Sequence, residues 1–159
     1  MNDIKRHIPT VDRFVHCCHE HVRWGDLDSF GHVNNVQFLR YLESGRIAYV
    51  RAMVDGPVGA QGESPILADQ RCSYLRQITW PGDLDVYTRT VALGRSSFHL
   101  EQIIRRVGDG EIVALGNGVV VWFDFNAQRA APIPEALRRR VLAYERVRPG
   151  DARAVRGGA

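Results

Sequence analysis

The region from residue 65 to residue 125 constrains the fold most. Ile66 to Ile78, Leu84 to Leu93, Ser97 to Val107 and Ile112 to Phe125 are each rich in β-branched and aromatic residues. Pro81-Gly82-Asp83, Gly94-Arg95-Ser96 and Gly108-Asp109-Gly110 separate them with strong turn signals. Short turns between long strands predict consecutive antiparallel pairing. The run Val119 to Phe123 is apolar at every position, which predicts a strand covered on both faces. Ahead of these, Val15 to Trp24 has strand-like composition.

Between that first strand and the rest lies one helical stripe. Phe38, Leu42, Gly45, Tyr49 and Ala52 recur at spacings of four and three; Leu39, Val50 and Met53 widen the stripe. Arg40, Ser44, Ile47 and Arg51 make a mostly polar opposite side. Gly45 costs the helix about 1 kcal/mol relative to Ala, so a close approach to a sheet is expected there. Asp55-Gly56-Pro57 is the stop signal, and Pro134 to Arg146 fits a second, short helix. The expected class is α+β, one long helix on a five-stranded antiparallel sheet. A single domain should fill 1–146, with 147–159 a flexible C-terminal tail. One helix cannot cover so wide a sheet, and the uncovered part predicts a homodimer.

Composition narrows the function classes. The chain has 159 residues, 45% hydrophobic and 25% charged, enough for one ordinary core. No apolar run approaches the roughly 18 residues of a membrane span, and Met1 to Thr10 lacks a secretory signal's apolar centre. An odd cysteine count (Cys17, Cys18, Cys72) fits a reducing, cytoplasmic setting. The net charge of +3 comes from 20 Arg and one Lys against 18 acidic residues, without the basic stripe of a nucleic-acid binder.

The densest polar cluster is Trp24-Gly-Asp-Leu-Asp-Ser-Phe-Gly-His-Val-Asn-Asn35, directly before the helix. A helix start presents unpaired N–H groups and the positive end of the dipole, which stabilise a developing oxyanion. Gly31 lets a substrate come close. A carboxylate at Asp28 could face the carbon whose oxygen those amides hold, the pairing acyl transfer needs. Asp28, Ser29 or Asn34 could equally cap the helix. The residue pattern leaves both readings open. Asp26 reads as a turn residue that satisfies backbone N–H groups.

Arg23 to Asn35, with Phe38, Tyr41, Glu43 and Arg46, resembles the 4-hydroxybenzoyl-CoA thioesterase-like branch of the hotdog superfamily, whose signature is Asp-x-Asp-x-x-Gly-His-Val-Asn-Asn. Tyr74-Leu-Arg-Gln-Ile-Thr-Trp-Pro-Gly-Asp83 and Gly94-Arg-Ser-Ser97 extend the likeness over residues 15 to 126. The resemblance implies a hotdog fold and hydrolysis of an acyl-CoA, or similar thioester, to acid and thiol. It implies a dimer with sites at the interface, often paired into tetramers. No metal and no cofactor beyond the substrate's own coenzyme A are implied. Asp28 corresponds to the nucleophile or general base, and the backbone N–H near Asn35 to the oxyanion donor. His32 and Asn35 match pocket-lining side chains, with His32 a proton donor to the leaving thiolate. Asn34 belongs to the same motif as a substrate contact. Arg76 and Arg95 are positioned as candidates for the coenzyme A phosphates. The 4-hydroxybenzoyl enzymes are apolar where His32 to Asn35 stands here, so an aromatic acyl group is not implied.

Other chemistry is poorly supported. Within His16-Cys-Cys-His-Glu-His21, one strand face carries Cys17, His19 and His21 roughly 6.8 Å apart, too far for one strand alone to converge on zinc. Cys72 reads as a buried small hydrophobe. Ser96-Ser97 lacks a Gly-x-Ser-x-Gly setting, and no Gly-rich phosphate loop occurs. An enoyl-thioester hydratase would need Asp-x-x-x-x-His, whereas His32 follows Asp28 by four residues and Asp26 by six. A non-catalytic acyl-CoA-binding module is the remaining alternative.

Overall fold

A computed structural model describes residues 8–55 and 62–151. In chain order the elements are β1 (His16–His21), α1 (Asn35–Met53), β2 (Glu63–Tyr74), β3 (Asp83–Leu93), β4 (Ser97–Arg106), β5 (Ile112–Asp124), β6 (Arg129–Ala130), α2 (Glu135–Tyr144) and β7 (Gly150–Asp151). Five long strands form an antiparallel sheet in the order β1-β3-β4-β5-β2, and α1 lies across it. This is the hotdog architecture, with α2 as the short C-terminal helix. Among the described residues no helix is long and apolar enough to cross a membrane.

The β3–β4 and β4–β5 hairpins form as their turn signals predict. The first expected pairing does not. β2 pairs with β5, and β1 takes the place beside β3. The strand predicted to run to Ile78 stops at Tyr74, because residues 75–82 leave the sheet and cross to its opposite edge. Ile78 is apolar for another reason: it is buried in the core under α1. Strand β5 also differs from expectation. Ala114, Gly116, Gly118, Val120 and Trp122 are buried, while Leu115, Val119, Val121 and Phe123 on the alternate face are only half-buried. The chain by itself therefore covers one face of β5.

Helix α1 buries Phe38, Tyr41, Leu42, Gly45, Tyr49 and Met53. Ala52, placed on the stripe by spacing, is exposed, and Met53 takes its role. Arg46 is buried as well, and its Nη1 donates to Gln70 Oε1 on β2 at 2.9 Å. At Gly45 the helix backbone meets the sheet: a Cβ there would stand 2.5 Å from Val86 Cγ1 and 3.1 Å from Thr88 Oγ1. The helix ends at Met53 with Val54 as its C-cap, and Gly56-Pro57 falls outside the described residues.

Two core clusters result. One gathers Phe38, Leu42, Ile78, Leu84 and Val86 under the start of α1. The other gathers Tyr49, Met53, Trp122, Leu137 and Val141 between the end of α1 and α2. In the stretch expected as a tail, Gly150–Asp151 pairs in parallel with Ala92–Leu93; residues 152–159 fall outside the described ones.

Candidate active site

The polar segment after β1 is folded by its own side chains. Trp24–Asp26 makes one 3-10 turn, and Asp26 Oδ2 accepts from the Arg23 N–H at 2.8 Å and the Tyr41 hydroxyl at 2.7 Å. Asp26 thus pins the turn to α1. Burial and this contact push the Tyr41 hydroxyl well above the ordinary phenol range. Leu27 and Val33 pair as an antiparallel bridge, and the Asp28 N–H donates to His32 O at 2.8 Å. The loop between them closes because Gly31, at φ +76°, takes a left-handed conformation that a side chain would strain. Two further bonds set its height: Val33 N–H to Ile78 O and Asn34 N–H to Asp26 O, both 2.9 Å.

Inside this loop Asp28 is half-buried. Its Oδ1 accepts from the Phe30 N–H at 2.8 Å and the His32 N–H at 3.4 Å. Its other oxygen accepts no hydrogen bond among the described residues. The carboxylate is oriented through one oxygen and has the second to offer.

Helix capping falls to Asn34. Its Oδ1 accepts from the Val36 N–H at 3.0 Å, and its carbonyl accepts from the Gln37 N–H at 2.9 Å. The Asn35 N–H, which precedes both, finds no acceptor among the described residues. It is the first amide of α1, at the positive end of the dipole.

Asp28, His32 and Asn35 line one open cleft of about 400 Å³ with Phe38, Tyr74 and Arg76. Such a volume lies within the range of small-molecule sites. Leu75 and Gln77, from the segment that leaves the sheet after β2, complete its far wall. Phe38 and Tyr74 meet edge to face at 5.1 Å, and the Tyr74 hydroxyl donates to Asn35 O at 3.4 Å. Arg76 is half-exposed; its Nε donates to Glu111 and its Nη1 to Leu75 O, while Nη2 is uncommitted among the described residues.

The sequence-derived residues therefore divide. Asp28, His32, Asn35 and Arg76 come together. Gly31 shapes the loop and Asn34 caps the helix, and neither lines the cleft. Arg95 lies in the β3–β4 turn, at the far end of β3 from the cleft, and lines other depressions. Sequence reasoning missed Tyr74 and Gln77 as cleft walls. Tyr74 ends β2, and only the pairing of β2 with β5 brings it to the start of α1.

A carboxylate with a free oxygen and an unpaired amide at a helix start suit attack on an acyl carbon with capture of the resulting oxyanion. Comparison with known proteins points to the thioesterase-like superfamily. Residues 22–141 match the profile of the thioesterase-like superfamily. A thioesterase from Thermus thermophilus, solved with coenzyme A and zinc, is 38% identical; the match covers 84% of this chain and 97% of that one with a TM-score of 0.73. A thioesterase-superfamily structure from Jannaschia sp. CCS1 is 30% identical, covering 80% of this chain and 81% of that one with a TM-score of 0.72. A chloroplast acyl-acyl carrier protein thioesterase of Arabidopsis thaliana is 24% identical over 127 residues, 79% of this chain and 66% of that protein.

Proposed function

The chain belongs to the thioesterase-like superfamily, and we propose that it hydrolyses acyl-CoA thioesters to free acid and free thiol at the Asp28 cleft. The observation that carries this reading is the pair of uncommitted groups on one cleft: the second carboxylate oxygen of Asp28 and the Asn35 N–H. In it, Asp28 attacks the thioester carbon or deprotonates the water that does. The Asn35 N–H receives the oxyanion, a contribution of about 2.7–4 kcal/mol to the barrier for such a donor. The thiolate then leaves, with His32 near enough in the cleft to supply a proton. Where Asp28 is the nucleophile, water then cleaves the acyl–Asp28 anhydride, releasing the acid and restoring the carboxylate. Arg76 Nη2 meets a phosphate of coenzyme A. The coenzyme A in the Thermus relative supports the carrier; the Arabidopsis relative makes an acyl carrier protein the alternative.

The active form is a homodimer in this proposal. β2 is twelve residues long and sits at an edge of the sheet, with Leu67, Ala68, Asp69 and Arg71 exposed. Among the described residues no strand pairs with its outer edge, and an edge of that length is a template for a second chain.

A panel of thioesters tests the reading. Purified protein should release free thiol from acyl-CoAs faster than from acyl carrier protein thioesters of the same acyl group. Loss of enoyl absorbance from a crotonyl thioester without thiol release would instead mark a hydratase. Saturable acyl-CoA binding with no turnover across the panel would mark a binding module.

A further inference from the structure

The face of the sheet opposite α1 carries a second cluster. Val86 and Thr88 point at Gly45 of α1, so Asp85 and Tyr87 point away from it. On β1, His19 stands opposite Asp85 and Cys17 opposite Tyr87. We propose that Cys17, His19 and Asp85 form a binding site for a zinc-like divalent cation, with three protein ligands and one position open to solvent.

A single strand cannot bring its ligands together, but the neighbouring strand supplies the missing convergence. The Cys17 sulfur, an imidazole nitrogen of His19 and a carboxylate oxygen of Asp85 all lie within 4.8 Å of one another. Tetrahedral zinc, with bonds of about 2.0–2.3 Å, needs ligand atoms roughly 3.3–3.8 Å apart. Side-chain adjustments on the order of 1 Å close that gap.

Asp85 is already oriented for the task. Arg105 Nη2 holds its Oδ2, which also accepts weakly from the Tyr87 hydroxyl at 3.4 Å. Its Oδ1 is sealed from solvent, with His19 Nδ1 2.6 Å away. A ligating carboxylate is commonly steered in this way by a donor on its other oxygen. The thiolate and the carboxylate together balance a doubly charged ion, and Arg105 tempers the negative charge when none is bound.

The same three residue types could suggest a cysteine nucleophile with a His–Asp pair. The thiol argues against it: burial and the Asp85 carboxylate push Cys17 up to about 11, so it keeps its proton unless a cation displaces it. A bound ion would tie the edge strand β1 to β3.

Cobalt(II) is the probe, as a coloured stand-in for zinc. Metal-stripped protein should bind one equivalent with tetrahedral d–d bands and a thiolate charge-transfer band. Cys17→Ser should abolish the charge-transfer band, and His19→Ala should weaken binding by more than the roughly 10–100-fold expected for an outer partner. Cys18→Ser, on the other face of β1, should change nothing, and zinc should raise the Tm of the native chain but not of Cys17→Ser. Binding that survives Cys17→Ser and disappears in His21→Ala would reveal an adventitious surface His pair and overturn the proposal. So would the absence of any charge-transfer band while each variant keeps its native circular dichroism.

Discussion

Asn34 and Asn35 are neighbours in sequence and take opposite parts at the start of α1. The Asn34 side chain and carbonyl occupy the amides of Val36 and Gln37. The Asn35 amide just before them is left without an acceptor among the described residues, on a residue that lines the cleft with Asp28. Capping falls to Asn34, and the Asn35 amide is left for the oxyanion of the proposed reaction.

That division permits an unusual test. Asn35 is the first helical residue, a position where proline is favoured because its missing N–H has no helical partner. Asn34, at φ −60° and ψ 140°, is in the extended conformation that precedes proline comfortably. Asn35→Pro should fold with nearly native stability yet lose about 10²–10³ in kcat, while Asn35→Ala, which keeps the amide, should lose far less. Steady-state thiol release beside thermal unfolding reads both; a fully active proline variant rules the amide out.

Gly45→Ala weighs helix propensity against contact with the sheet. The methyl would gain about 1 kcal/mol of propensity. It would also stand 2.5 Å from Val86 Cγ1, on a branched side chain packed into the core. Overpacking of this kind costs about 1–3 kcal/mol, so the variant should be less stable by up to about 2 kcal/mol. Urea denaturation measures it, and a gain in stability would mean that α1 does not press on β3.

Glu145, just after α2, is buried, with Oε1 accepting from the Tyr49 hydroxyl at 2.5 Å and the Thr90 N–H at 2.7 Å. Burial raises its carboxyl above the ordinary range despite these donors. A carboxyl raised on folding adds stability at low pH and loses it as pH climbs through the raised value. Glu145→Gln keeps an acceptor and removes the ionisation. The native chain should therefore lose stability relative to the variant as pH rises from the ordinary carboxyl range through the raised value. Parallel Tm profiles that stay level, or diverge the other way, would contradict a costly buried carboxylate.

Much of the fold and half of the site were readable because they are local. Periodicity places α1, and turn signals place the β3–β4–β5 hairpins. Asp28 and Asn35 lie within one eight-residue stretch, so a loop and a helix start are enough to bring them together. What failed is long-range. Nothing in Glu63–Tyr74 states that its partner is β5, so Tyr74 could not be assigned to the cleft. Arg95 shares its residue type with Arg76 but sits at the other end of β3. Asp85 joins Cys17 and His19 only through strand register.

The most direct measurement is the rate of thiol release from an acyl-CoA by the native chain and by Asp28→Asn, at equal folded fractions. Asparagine retains the Oδ1 acceptor for the Phe30 and His32 amides, so the loop should hold and Tm should scarcely move. The rate should fall by about 10³ or more, the scale for loss of a nucleophile or general base. A folded Asp28→Asn protein that turns over at the native rate would contradict the account.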